Sequence, residues 1–187
     1  MFAKNMASNL LIKQDLLSFE LDVFNLNHKV PIFIDSFLTY GEITGRPCAF
    51  TDDSYLIRYF ADDEVTHVVL YNDFIPRVRK RWSIAHEFGH IYLAHLDDER
   101  KNEVEAHIFA SHLLMPDIVV AELVDMGMKD YIPDLFGVSE EAASKKLKWY
   151  KPEETLLEMA VLRKYLPFLD EVRRKHGKNN GNDRIYH

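Results

Sequence analysis

The stretch Trp82-Ser-Ile-Ala-His86-Glu87-Phe-Gly-His90 contains the pattern H-E-x-x-H. Apolar residues recur around it at three- and four-residue steps, which predicts a helix over residues 78–96. Residues four apart lie one turn apart on one helix face, so the imidazoles of His86 and His90 can point at one ion. Zinc binds imidazole nitrogen, and a catalytic zinc takes three protein ligands and a water. The stretch therefore predicts a Zn²⁺ site.

Glu87 directly follows the first histidine of this pattern. In the H-E-x-x-H motif the glutamate is the general base for the zinc-bound water and is not a metal ligand. Without a metal, His86 and His90 would place two polar rings on a buried stripe, which is costly. This cost favours the metal site over a purely structural helix.

A third ligand must come from another part of the chain. The extended pattern H-E-x-x-H-x-x-G-x-x-H fails, because Leu93 and Leu96 occupy its glycine and its last histidine position. His95 is one residue short of that position, and we expect it to be a surface or loop histidine. A second predicted helix, over about 102–115 and ended by Pro116, offers two carboxylates instead.

Helical geometry chooses between the carboxylates of Glu103 and Glu105. At about 100° per residue, Glu103 shares the arc of Ala106 and Ala110, whose small side chains suit a close approach to the histidine helix. Glu105 falls on the far side, and we expect it to be a solvated charge. We predict Glu103 as the third ligand. His107, one turn later, is expected to orient a ligand by a hydrogen bond, with a fourth ligand as the alternative.

The rest of the chain predicts an α+β fold with a small sheet of about three strands. Residues 7–26 carry leucines at helical spacing and predict an amphipathic helix. Three segments rich in strand-forming residues follow, at 30–35, 55–60 and 66–71. Shorter C-terminal helices are expected at 117–126, 131–136, 139–149 and 153–167.

Composition limits the classes of protein that fit. The net charge is −7 in 187 residues, which argues against a protein that coats nucleic acid. No stretch reaches the roughly 18 apolar residues of a membrane span, and no signal peptide is evident, so we expect a cytoplasmic protein. The lone cysteine, Cys48, cannot form an internal disulfide and is expected to be a buried, inert thiol.

The stretches RKRWSIAHEFGH (79–90) and EVEAHIFASHLLMP (103–116) resemble the ImmA/IrrE family of zinc metallo-endopeptidases. FGVSEEAASKKL (136–147) resembles that family's C-terminal part. The resemblance is strong over about 66–147 and weak before it. It implies a gluzincin-like endopeptidase that cleaves a helix-turn-helix repressor, often of a phage or mobile element. It also places the third ligand at Glu103.

The chain departs from this family at two points. The family usually has Asn at the position of His107, and many relatives carry an N-terminal helix-turn-helix for which the first 30 residues here are too short. We therefore expect the stand-alone form. One metallopeptidase domain is predicted over 1–170, with a catalytic core at about 66–116 and a helical part at about 117–168. The polar segment 171–187 is expected to be flexible.

Two features of the reaction stay open at this point. Hydrolysis needs a hydrogen-bond donor for the oxyanion, and the candidates are Tyr71, Asn72, Tyr92 and Tyr131. The segment 66–71 is either an exposed sheet edge to which an extended substrate adds, or ordinary sheet core.

The expected partner is a cytoplasmic repressor protein, with no membrane and no nucleic acid as direct ligand. The alternative is a non-catalytic regulatory protein that binds a repressor or DNA. It is motivated by the lysines Lys145, Lys146, Lys148 and Lys151 beside Trp149 and Tyr150. A packed helix with one solvated basic face is the favoured interpretation. A structural zinc site is disfavoured because such sites are rich in cysteine.

Overall fold

The computed structural model describes residues 1–46, 52–62, 64–97 and 99–177. Cys48 and residues 178–187 lie outside this range. The described chain is α+β with a three-stranded sheet, as predicted. Its helices and strands are α1 Phe2–Leu11, β1 Ile32–Ser36, α2 Phe37–Thr44, β2 Ser54–Ala61, β3 Glu64–Tyr71, α3 Arg77–Tyr92, α4 Arg100–Leu114, α5 Asp117–Asp125, a 3-10 turn Lys129–Tyr131, α6 Ile132–Phe136, α7 Glu140–Trp149 and α8 Leu156–Gly177.

The sheet has the strand order β1-β3-β2. β1 runs parallel to β3, while β2 runs antiparallel to it, from the pair Ser54–Tyr71 to the pair Ala61–Glu64. Of the two alternatives for 66–71, the exposed edge is wrong and the sheet core is confirmed, since β3 is the central strand. The edges of this sheet are β1 and β2.

The predicted helix over 7–26 is also wrong, because α1 ends at Leu11 and the following segment is irregular. The amide of Gln14 donates hydrogen bonds to the carbonyls of Leu10 and Asn27, and its oxygen accepts one from the Asn27 amide. This side chain ends the helix and folds the segment back. Leu17, one of the residues that suggested helical spacing, is exposed, and the segment buries alternate residues instead: Phe19, Leu21 and Val23.

Helix α2 was not predicted, although both of its ends carry a sequence signal. The Ser36 hydroxyl accepts a hydrogen bond from the Thr39 amide, which caps the first turn. Gly45 follows the last turn with φ +65°, a left-handed conformation that glycine adopts without strain. The capping signals were overlooked because strand-forming residues flank this short segment.

Helix α8 continues ten residues beyond its predicted end at 167. Its buried stripe of Val161, Tyr165, Leu169 and Val172 continues past Pro167, so packing stabilises the longer helix. The polar segment expected to be flexible from 171 is helical up to Gly177. No single described helix is long and apolar enough to cross a membrane, and only the bent pair α4 and α5 meets that requirement jointly.

Helices α3 and α4 touch backbone to backbone at Gly89 and Ala106. A Cβ atom on Gly89 would lie 2.7 Å from the Ala106 Cα and 3.0 Å from its carbonyl oxygen. Ala85, Phe88 and Ala110, on the same faces of the two helices, are fully buried. The contact therefore places the histidines of α3 and the glutamates of α4 at a short, fixed separation.

We predict that Gly89→Ala lowers the free energy of unfolding. Inside a helix this change ordinarily raises stability by about 0.5–1 kcal/mol. Here the new methyl group meets the Ala106 backbone, and such overpacking costs about 1–3 kcal/mol. Denaturant unfolding measures the sign, and a stabilised variant would contradict the close packing of the two helices.

A buried polar cluster joins α1, α4, α5, α7 and α8. The Nε2 atom of His112 lies 2.9 Å from both the Ser8 hydroxyl and the Glu158 carboxylate. The Lys146 ammonium contacts the Asp117 carboxylate. Although burial opposes it, the neighbouring His112 ring and the positive charge of Lys146 lower the pKa of Asp117. Because Ser8, His112 and Glu158 are all buried, a substrate has no access to them, and we assign the cluster a structural role.

We predict that Asp117→Asn lowers the free energy of unfolding by about 3–5 kcal/mol at neutral pH, because it leaves Lys146 buried without its counter-charge. Since the folded pKa of Asp117 is depressed, its contribution is present above the unfolded value of about 3.9 and is lost as the pH falls through the folded value. The gap between variant and wild type should narrow below about pH 4.

Unfolding curves at several pH values test this, with Asp125→Asn at the exposed end of α5 as the matched control. Equal stability of Asp117→Asn and the control at neutral pH would contradict the structural role of the cluster.

Candidate metal centre

The structure brings together His86, His90 and Glu103, the three predicted ligands. The Nε2 atoms of the two histidines are 3.1 Å apart. The Glu103 carboxylate oxygens lie 3.3 Å from His86 Nε2 and 3.2 Å from His90 Nε2. Tetrahedral zinc with bonds of about 2.0–2.1 Å has neighbouring ligand atoms about 3.3–3.4 Å apart. Each of the three distances is close to this spacing, and the two histidines face different oxygens of the Glu103 carboxylate. Metal binding by this triangle of residues stays a prediction.

The chemistry of His86 also fits a metal ligand. Burial, followed by repulsion from His107 and His90, lowers the pKa of His86 to about 3, so its ring is neutral. A neutral imidazole is the form that binds zinc. Its Nδ1 atom is buried, with no hydrogen-bond partner among the described residues. Two imidazole nitrogens and one carboxylate are a donor set that zinc accepts.

His107 lies at the rim of this triangle. One ring nitrogen of His107 joins ligand atoms of His86 and Glu103 in a group within 4.8 Å, wider than the 3.1–3.3 Å set that includes His90. The tighter set is the better match to zinc, so we place His107 outside it. Its Nδ1–H donates a 2.8 Å hydrogen bond to the main-chain carbonyl of Glu103. This bond goes to the backbone of Glu103 and not to its carboxylate, so the ligand-orienting role of His107 stays a prediction.

His95 lies in the loop after α3, one of the two expected places, but it is not at the surface, since it is only 6% exposed. The chain reverses after α3 at Ala94, where φ is +55°, and the His95 amide donates to the His90 carbonyl at 3.0 Å. This turn places His95 Nδ1 3.3 Å from His90 Nδ1. The helical wheel could not find the contact because His95 lies beyond the end of the helix.

Glu105 completes a chain of contacts that ends at the metal site. Its carboxylate lies 3.2 Å from His95 Nε2, so it is not the solvated charge that we expected. If His90 offers Nε2 to a metal, its Nδ1–H donates to His95, and His95 Nε2–H donates to Glu105. Glu105 lies on the far side of α4, away from the ligand triangle. That side of the helix faces His95.

We predict that His95→Phe weakens zinc affinity by about 10- to 100-fold, because it removes the hydrogen-bond partner that orients His90. Competition with a chromophoric zinc chelator measures the change. His176→Phe, at the exposed C-terminal end of α8, is the control and should bind zinc like the wild type. Unchanged affinity in His95→Phe would show that His90 needs no such partner.

The carboxylate of Glu87 is held by the first residue of β2. The Ser54 hydroxyl donates a 2.7 Å hydrogen bond to Glu87 Oε1. Both side chains line a cleft of about 780 Å³, together with the ligand triangle and His107. Sequence reasoning missed Ser54, because nothing in the sequence indicates which strand lies beside α3.

The four candidate oxyanion donors lie elsewhere in the fold. Tyr92 pairs with His28 at 3.0 Å, and Tyr131 lies against His176. The other two also have local contacts: Tyr71 packs on Phe24, and Asn72 accepts a hydrogen bond from the Phe74 amide. None of the four lines the cleft, whereas Tyr55 and Arg58 of β2 do. These two are donors that the sequence did not single out.

A model of the IrrE N-terminal-like domain, a peptidase family, matches residues 45–148, more than half of the chain. The chain belongs to this family. The match confirms the predicted resemblance and supports a metallopeptidase-type function. The match extends from β2 into α7. It therefore includes all three residues of the ligand triangle. A comparison with curated proteins found no match.

Proposed function

We propose that the protein is a zinc-dependent endopeptidase that hydrolyses a peptide bond in a protein substrate. The observation that carries the proposal is the triangle of His86, His90 and Glu103, with sides of 3.1–3.3 Å, beside the carboxylate of Glu87 in one cleft. Three protein ligands leave the fourth position of a tetrahedral zinc for water, which is the catalytic arrangement.

The chain's own residues account for the movement of protons. Zinc, when bound, supplies the Lewis acidity that activates water and polarises the substrate carbonyl. Ser54 holds Oε1 of Glu87, and we assign Oε2 to receive a proton from the attacking water. Glu87 then delivers this proton to the amide nitrogen. The new C–O bond replaces the broken C–N bond, and the amine leaves uncharged.

The edge strand β2 suits an extended substrate. It borders the cleft with Ser54, Tyr55, Leu56 and Arg58, and among the described residues it pairs on one side alone, with β3. An extended peptide can add to such an edge through main-chain hydrogen bonds. This edge takes the substrate role that the sequence had suggested for 66–71.

We further propose that the substrate is a cytoplasmic helix-turn-helix repressor, on the strength of the resemblance to the ImmA/IrrE family. The four lysines of residues 145–151 give little support to the DNA-binding alternative. Lys146 is buried against Asp117, and Lys145 pairs with Glu141 at 2.6 Å. Two of the four positive charges are thus already engaged within the protein.

The decisive experiment compares zinc content and cleavage in three variants. We expect about one zinc per wild-type chain. Glu87→Gln should keep its zinc and lose about 10²- to 10⁴-fold in cleavage, because only the general base is removed. Glu103→Ala should lose zinc and activity together. Glu42→Gln, exposed on α2, is the control.

Elemental analysis gives the zinc content, and casein, an unfolded protein, serves as the cleavage probe beside any candidate repressor. A folded wild type that takes up no zinc when zinc is supplied would favour the non-catalytic regulatory protein. Full activity in Glu87→Gln would refute the assigned general base.

A further inference from the structure

A second cavity adjoins the cleft and has no role in the proposed chemistry. It has a volume of about 900 Å³ and lies between α4 and α7. Glu103, His107, Trp82, Arg79 and Asp53 line both the cavity and the cleft. The cavity, here called the α4–α7 groove, is therefore continuous with the candidate metal centre.

The walls of the groove are helical, with a largely apolar stripe on α4 opposite α7 and with Val78 and Trp82 of α3 beside it. On α4, Val104, Ile108 and Ser111 recur at four- and three-residue steps, and Val104 is 53% and Ile108 38% exposed. Ala142 and Trp149 line the α7 side, and Trp149 is 81% exposed. Contiguous apolar surface of this kind next to a catalytic cleft is typical of a binding site.

The charged groups around the groove are largely paired within the protein. At its far end, Lys4 and Lys146 both contact the Asp117 carboxylate. Near its rim, Lys145 pairs with Glu141. An occupant is therefore selected by apolar contact and not by attraction to one strong charge.

The walls also determine which backbone conformation fits. Both are helices, whose main-chain groups are already hydrogen-bonded within each helix. An extended peptide would bury its own main-chain groups there without partners, which is costly. A helix brings its main-chain hydrogen bonds with it and presents an apolar face. The stripe from Val104 to Ser111 rises about 10 Å, or two turns, which matches the apolar face of a short helix.

We propose that the α4–α7 groove binds an amphipathic helix of the protein substrate, while an adjoining extended segment enters the metal cleft. This inference rests on the proposed peptidase function, because continuity with the cleft is what makes the occupant a substrate. A helix next to the scissile segment then strengthens recognition, whereas a fully unfolded protein such as casein is cleaved through the metal cleft alone, without that contact.

The chain contains an internal probe for this binding. Its two tryptophans, Trp82 and Trp149, both line the groove. We would titrate Glu87→Gln protein, to prevent cleavage, with a synthetic helix of about 18 residues carrying leucine at i, i+3, i+4 and i+7. A peptide of the same composition, permuted to remove the apolar stripe, is the comparison.

We expect a saturable blue shift of tryptophan emission with the amphipathic peptide and no shift with the permuted peptide. Adding Ile108→Ser or Val104→Ser should weaken its binding by about tenfold or more, since each removes apolar contact area. Ile43→Ser, an exposed isoleucine on α2 outside the groove, should bind like the parent. Thermal unfolding checks that each variant is folded.

Several results would overturn the proposal. They are equal binding of the permuted peptide, no shift at peptide concentrations up to about 1 mM, or insensitivity to both groove variants. If raising the protein concentration without peptide shifts the tryptophan emission, the groove binds a second copy of the chain. If deleting residues 178–187 shifts the emission, the groove binds that segment.

The two proposals can fail separately. Zinc-dependent cleavage of casein by the wild type, without binding of the helical peptide, would overturn the groove proposal and leave the peptidase. Groove-dependent peptide binding by a protein that takes up no zinc would support helix binding and overturn the peptidase.

Discussion

The contact between Gly89 of α3 and Ala106 of α4 sets the geometry on which the rest of the site depends. Because no Cβ intervenes, the two backbones approach until Ala106 occupies the space that a larger residue at 89 would fill. His86 and His90 flank Gly89 on one helix, and Glu103 lies one turn before Ala106 on the other. The separation of the helices therefore becomes the separation of the ligand atoms, 3.1–3.3 Å.

Sequence reasoning reached the parts of the site that regular periodicity governs. The four-residue spacing of His86 and His90 and the helical arc of Glu103 needed only the geometry of a helix. The contact of His95 with His90 was not predicted, because the position of His95 depends on the chain reversal at Ala94, beyond the end of α3. The contact of Ser54 with Glu87 was not predicted, because only tertiary packing brings β2 to α3. The central position of β3 likewise depends on pairing between distant segments, which periodicity within one segment cannot reveal.

Helix α4 carries a different role on each of its faces. Ala106 packs against α3, Glu103 faces the histidines, Glu105 reaches His95, and Ile108 lines the α4–α7 groove. A helix with contacts on all sides shows no clean division between apolar and polar faces. This explains why arcs on a helical wheel located Glu103 but misjudged Glu105, whose partner comes from outside the two helices.

The buried polar cluster bears on the order in which the protein assembles. Lys4 contacts Asp117 across 113 residues, and Ser8 bonds Glu158 across 150 residues. Loops of this length close slowly relative to the formation of local helices. During synthesis, α1 emerges before α5 and α8, and it gains these partners only after those helices have followed it. Helix α4, whose His112 belongs to the same cluster, thus receives its full support late, so the geometry of the candidate metal centre is expected to be among the last features to mature.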